Sequence, residues 1–160
     1  MDGFSADGYI IDQNFLTALP YRGGTSDRNG CGWIAAFNFL RTLGHDVPYE
    51  AVLRGMDARH RPPFPAATPM RVLRRYLGTQ TDFRYIGRKR DVPAAAVTSR
   101  AGILRYLEGF MPHFIAYVRV GDRLYRFLNV RDGQEDITLP MEDFLRLHCR
   151  WGRVRLIRAD

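Results

Sequence analysis

Cysteine and lysine are the scarce residues of this 160-residue chain. The two cysteines, Cys31 and Cys149, lie far apart and form no Cys-x-x-Cys or Cys/His ligand spacing, so neither a structural zinc site nor a disulfide framework is expected. Buried thiols in a reducing compartment are the simpler reading. Lys89 is the only lysine, so arginine carries nearly all of the positive charge behind a formal net charge of +7 and a pI near 9.9. Long apolar runs, internal repeats and low-complexity tracts are also missing, which argues against a membrane span and against a repeat architecture. The opening residues, Met1 to Asp7, are acidic and lack the basic and apolar regions of a secretory signal. These absences lead to the expectation of a cytoplasmic, monomeric, single-domain protein with no cofactor, long enough to bury about 70% of its unfolded surface.

A basic chain raises nucleic acid as a partner. Here the arginines are mostly scattered. Only Arg88-Lys89-Arg90 and Arg71-x-x-Arg74-Arg75 cluster, and neither is interleaved with the aromatic residues that a stacking surface needs. A specific nucleic-acid function is therefore not expected.

The order of elements is more informative than the composition. Residues 1–24 read as an irregular, glycine-rich leader, and residues 25–158 as a core. An apolar helix from Cys31 to Leu43 stops at Gly44, a residue suited to a helix C-terminus. Pro48 opens a short helix from Tyr49 to Gly55, and Arg61-Pro62-Pro63-Phe64-Pro65 forms a loop. After Thr68, a third helix carries Met70, Val72, Leu73, Tyr76 and Leu77 on one face at three- and four-residue spacing. Phe83 to Ile86 suggests a short strand, and Ala101 to Phe110 a further helix.

Beyond His113 the period changes. Aromatic and β-branched residues crowd 113–120 and 123–130 around Gly121-Asp122, which predicts a hairpin. Ile137 to Leu147 reads as a strand end and a short helix, and Val154 to Ile157 as a last strand. The whole predicts an α+β fold, an N-terminal helical lobe with a buried helix packed on a C-terminal antiparallel sheet.

Asn29-Gly30-Cys31-Gly32-Trp33 places a thiol at the start of the apolar helix. Unpaired N–H groups and the helix dipole there favour thiolate over thiol, and the flanking glycines leave room for a substrate backbone. In the predicted hairpin the position opposite His113 is about residue 130, so Asn129 falls beside His113. Cys31, His113 and Asn129 then supply a nucleophile, its base and a group that holds the base's tautomer. His45, His60, His148, Trp33 and Phe37 are expected to be structural, and Asp132, Glu135 and Asp136 to form a solvated loop.

Cys31-Gly32 opening a buried helix, the run His113-Phe-Ile-Ala-Tyr-Val-Arg-Val, the run Tyr125-Arg-Phe-Leu-Asn129-Val and the closing Leu139-Pro-Met-Glu-Asp-Phe-Leu together resemble the papain-like cysteine peptidases of the small bacterial kind. The pattern is most similar to the bacteriocin-processing peptidases that act on double-glycine leaders. The resemblance implies a papain-like fold over about residues 25–158 and hydrolysis of a peptide, isopeptide or amide bond. In it Cys31 is the nucleophile, His113 the general base and Asn129 the orienter, and a peptide or protein is the substrate. Three positions depart from the pattern. Trp33 replaces a common proline, Asn129-Val130 replaces Asp-Pro, and Thr25 stands where the oxyanion glutamine is usual. The Cys31 N–H with the amide of Asn29, or of Gln13 if the leader folds back, would then serve the oxyanion. A catalytically silent peptide-binding domain and an acyltransferase on the same scaffold are the alternatives.

Overall fold

A computed structural model describes residues 3–58, 68–131 and 135–160. The expected proline-rich loop at 61–65, His60 and Asp132 lie outside the described residues.

A 3-10 turn at Gln13–Phe15 and a small hairpin, β1 (Pro20–Tyr21) with β2 (Gly24–Thr25), lead into α1 (Ser26–Asn29). Then follow α2 (Cys31–Thr42), α3 (Tyr49–Asp57) and α4 (Met70–Leu77). Gly44 adopts φ +85° just past α2 and Pro48 sits immediately ahead of α3, as the sequence predicts, while Pro69 is the extended residue ahead of α4. The buried side chains of α4 are Met70, Val72, Leu73, Tyr76 and Leu77, the predicted apolar face.

The second half supplies β3 (Arg84–Ile86), α5 (Val92–Val97), β4 (Ala101–Glu108), β5 (Met111–Gly121), β6 (Leu124–Leu128), β7 (Asp136–Pro140), α6 (Met141–His148) and β8 (Arg155–Ala159). Six strands form one antiparallel sheet in the order β3-β8-β4-β5-β6-β7. The fold is α+β. The helical half packs on one face, where Trp33, Ile34, Phe37, Val52, Met56 and Leu73 meet Ile103, Phe114 and Ile157. The other face carries a second core, in which Val92 and Ala96 of α5 and Phe144 of α6 meet Tyr106, Tyr117 and Phe127.

Two expectations fail here for physical reasons. Ala101–Phe110 is not a helix but β4, a central strand paired with β5 on one side and β8 on the other. Covered on both faces, β4 has no polar side to show, so Ala101, Gly102, Ile103 and Leu104 are all buried and the period-2 signal is erased. The hairpin turn is Asp122-Arg123 rather than Gly121-Asp122, because Gly121 pairs with Leu124 after a register shift at Arg119–Gly121, and Arg123 takes φ +52°. α5 was not anticipated.

The N-terminal segment, irregular apart from the 3-10 turn and the β1–β2 hairpin, is tied to the core from residue 3 onward. Its Ile10 backbone both donates to Asn38 Oδ1 (2.9 Å) and accepts from Asn38 Nδ2 (2.7 Å), deep in the α2 side core. Asp7 meets Arg126 of β6, which also holds Asp136 (2.6 Å), and the Arg126 hydrogen bond keeps the Asp7 carboxyl down at about 2. Asn38→Ala leaves two buried backbone groups of Ile10 without partners, so we expect a loss of about 1–3 kcal/mol. Urea denaturation measures it, and amide exchange should quicken at residues 3–16 while β4 and β5 stay protected.

Candidate active site

Cys31 is the first residue of α2. Gly30 N–H donates to Ser26 O and Ile34 N–H to Gly30 O, but no carbonyl among the described residues accepts from the N–H of Cys31, Gly32 or Trp33. The helical hydrogen bonding is therefore interrupted at the thiol, although Gly30 between α1 and α2 keeps right-handed helical dihedrals (φ −77°, ψ −13°). Trp33 ties the junction of α1 and α2 by donating from Nε1 to Ser26 Oγ at 3.1 Å. The flanking glycines serve packing. A Cβ on Gly30 would lie 2.3 Å from Ser26 O and 2.9 Å from Trp33 Nε1, and one on Gly32 would lie 2.4 Å from Thr68 Oγ1. The space next to each glycine is thus taken by the chain's own residues rather than left open for a substrate backbone.

β6 stops pairing at Leu128 opposite Ala116, while β4 continues to pair with β5 as far as Glu108 and Met111. No described strand thus pairs with the β6-side edge of β5 from Met111 to Ile115. The Cys31 sulfur lies at this edge, where the backbone N–H of Phe114 is directed at it, together with that of Gly32. Strand alternation sends Phe114 to the α2 side core and His113 to the other face, where its ring meets Tyr106 edge-on at 5.8 Å. Thiol and imidazole flank one free strand edge from opposite faces, and no hydrogen bond joins them.

Asn129 ends β6 in the left-handed region, at φ +64°. Continued past Leu128, the ladder register would put Arg131 rather than Val130 opposite His113, but the left turn at Asn129 ends the ladder first. Its carbonyl oxygen lies 2.9 Å from His113 Nε2. A carbonyl only accepts, so Nε2 carries the proton and Nδ1 keeps a lone pair, which is buried with no hydrogen-bond partner among the described residues. The expected contact of His113 with Asn129 is present, but through the main chain. The Asn129 side chain faces the other way, accepting at Oδ1 from Gln13 N–H (3.0 Å) and donating from Nδ2 to Gln13 Oε1 (3.0 Å).

Gln13 does fold back, as its candidacy required, and is buried. Its Nε2 donates to Asp27 O of α1 at 2.7 Å. Asn29 is half-buried, with Nδ2 3.5 Å from Tyr21 O, the longest of the amide contacts here. Tyr106 was missed by sequence reasoning. It is the direct cross-strand partner of His113, a relation hidden while 101–110 is read as helix.

Electrostatics favour neutral groups. Burial pushes the Cys31 thiol up against the opposing pull of the Phe114 N–H, nearby Arg131 and the Gly32 N–H, so the helix terminus does not produce the depressed thiol value expected from sequence. Burial likewise pushes His113 down to about 4, only partly opposed by the Asn129 carbonyl. Cys149 is pushed up to about 12 by burial, against a smaller opposing pull from Lys89. The described residues hold no group of three or more His, Cys, Asp or Glu side chains placed to bind a metal. No helix among them is long and apolar enough to cross a membrane. Compared with known proteins, the chain matches no protein-family model and no curated protein.

The His113 shift fixes a pH dependence. An unfolded chain takes up the His113 proton below about pH 6.5, whereas the folded protein resists until about pH 4. Stability contributed by the neutral ring is present in full above pH 6.5 and declines by up to about 3 kcal/mol across that window. Urea midpoints between pH 7 and pH 4.5 should fall for the parent and fall less for His113→Gln.

Proposed function

We propose that the chain is a papain-like thiol hydrolase that cleaves a peptide, isopeptide or amide bond. One observation carries the reading. The His113 imidazole is fixed in its Nε2–H tautomer, with its Nδ1 lone pair unspent, one residue along β5 from the N–H that meets the Cys31 sulfur. That tautomer is the one a thiol base needs. Cys31 loses its proton to Nδ1 and attacks the carbonyl. The proton then passes to the departing amine, and water, activated by the same nitrogen, releases the acyl group and restores the thiol.

The free Cys31 N–H supplies one oxyanion donor. Of the two amides, Asn29 is the better second donor, because its contact with Tyr21 O is at the limit of a hydrogen bond whereas Gln13 is held at both ends. Asn129 acts through its carbonyl, so its side-chain amide orients the base only by way of Gln13.

A second reading, a catalytically silent domain that binds a peptide at the same face, draws on the burial that keeps thiol and imidazole neutral. Covalent labelling separates the two. A panel of peptidyl acyloxymethyl ketones should modify Cys31 and spare Cys149, with labelling nearly abolished in His113→Ala and slowed about 10²–10³-fold in turnover assays by Asn29→Ala. Labelling of Cys31 that is unchanged in a folded His113→Ala protein, or absent from the parent with every probe, would contradict the enzymatic reading.

A further inference from the structure

Each basic cluster of the sequence sends residues to Tyr85: Arg74 from one, Arg88 and Lys89 from the other. Arg74, from α4, lies over the Tyr85 ring at 4.4 Å from its centroid. Tyr85 also lines a cavity of about 430 Å³, whose wall includes Arg88, Lys89, Arg153 and Arg155 and no carboxylate. Arg155 is the direct cross-strand partner of Arg105, so two guanidinium groups project side by side from adjacent strands. Like charges placed directly opposite in a sheet repel. Neither Arg105 nor Arg155, nor Arg88 and Arg153 of the same cluster, has an ion-pair partner among the described residues, so no carboxylate of the described chain neutralises this group. Four cations on one cavity wall with no carboxylate among them, beside a cross-strand pair of like charges, make an arrangement suited to an anion from outside.

The row points at the thiol. Arg105 is in turn the cross-strand partner of Phe114, whose N–H meets the Cys31 sulfur, so Arg155, Arg105 and Phe114 lie side by side on the α2 face of β8, β4 and β5. Two interstrand spacings separate Arg155 from Phe114, about 10 Å. An extended chain covers that distance in about three residues.

We infer that the cavity and the Arg105–Arg155 pair form a subsite for a side-chain carboxylate of a peptide lying across this face, an Asp or Glu about three residues from the carbonyl presented to Cys31. Carboxylate suits the forked donors of paired arginines. The placement relative to Cys31 rests on the hydrolase reading, but the binding of an acidic peptide does not.

The test has two arms. In the first, a fluorescein-labelled tetraglutamate peptide is titrated and followed by anisotropy, with tetraglutamine and a short RNA as competitors for comparison. The acidic peptide should bind, the neutral one should not, and Arg105→Gln with Arg155→Gln should weaken binding about tenfold or more. Removing one of two like charges relieves repulsion, so these variants should keep the parent's circular dichroism; Arg153→Gln, at an exposed position, is the control for any that do not. Cys31→Ser should bind as the parent does. Equal affinity for glutamate and glutamine peptides, indifference to the arginine variants, or preferential binding of the RNA at these arginines would overturn the proposal.

In the second arm, ketone probes with Glu or Gln three residues from the reactive carbonyl are compared. The Glu probe should label Cys31 about tenfold faster in the parent and no faster in Arg105→Gln. Loss of all labelling with acidic-peptide binding intact would remove the hydrolase reading and leave the subsite standing.

Discussion

Asn129 is the residue on which the candidate site depends. It turns left at the end of β6, and that single backbone choice does three things. The strand ladder ends, which frees the β5 edge for the Cys31 sulfur. The carbonyl swings onto His113 Nε2 and dictates the tautomer. The side chain is released to form a buried, reciprocal pair with Gln13, which ties the N-terminal segment and α1 to the sheet. A left-handed conformation costs a non-glycine residue on the order of 1 kcal/mol, and Asn tolerates it better than most. Two hydrogen bonds to a buried partner and one to an imidazole more than offset that cost.

Two opposing effects set the state of the thiol. A helix N-terminus stabilises an anion by about 0.3–1 kcal/mol at an exposed position and about 2 kcal/mol when partly buried. Complete burial acts in the opposite sense and can move a titration by several units. At Cys31 burial wins, and at His113 it wins again, so the two groups face the same strand edge uncharged. Proton transfer between neutral thiol and neutral imidazole creates an ion pair only when the surroundings stabilise it. The unpaired N–H groups of Cys31 and Trp33, the Phe114 N–H and the cation of Arg131 are the elements already placed to do so.

Much of the helical half was legible because its periodicity survives in sequence. α2 ends where Gly44 predicts, and α4 buries the five residues that its spacing selects. β4 was not legible, since a strand buried on both faces loses its alternation and Ala, Leu, Arg and Glu all favour a helix locally. With β4 went Tyr106 and the pairing of Arg105 with Arg155 and Phe114, which only sheet register reveals. The closeness of His113 and Asn129 could be inferred from hairpin arithmetic. Which group of Asn129 faces the ring could not, because it depends on one dihedral angle. Gln13 was reachable only as a conditional, and the condition, a folded-back leader, is met through Asn38 and Arg126.

The most direct test of this account is the protonation state of His113. Long-range ¹H–¹⁵N correlation spectra of the histidine-labelled protein, with His113 assigned by its loss in His113→Gln, report which ring nitrogen carries the proton. A neutral ring protonated at Nε2 is expected throughout the neutral range, taking up a second proton only near pH 4. A proton on Nδ1 instead, or an imidazolium at pH 7, would contradict it.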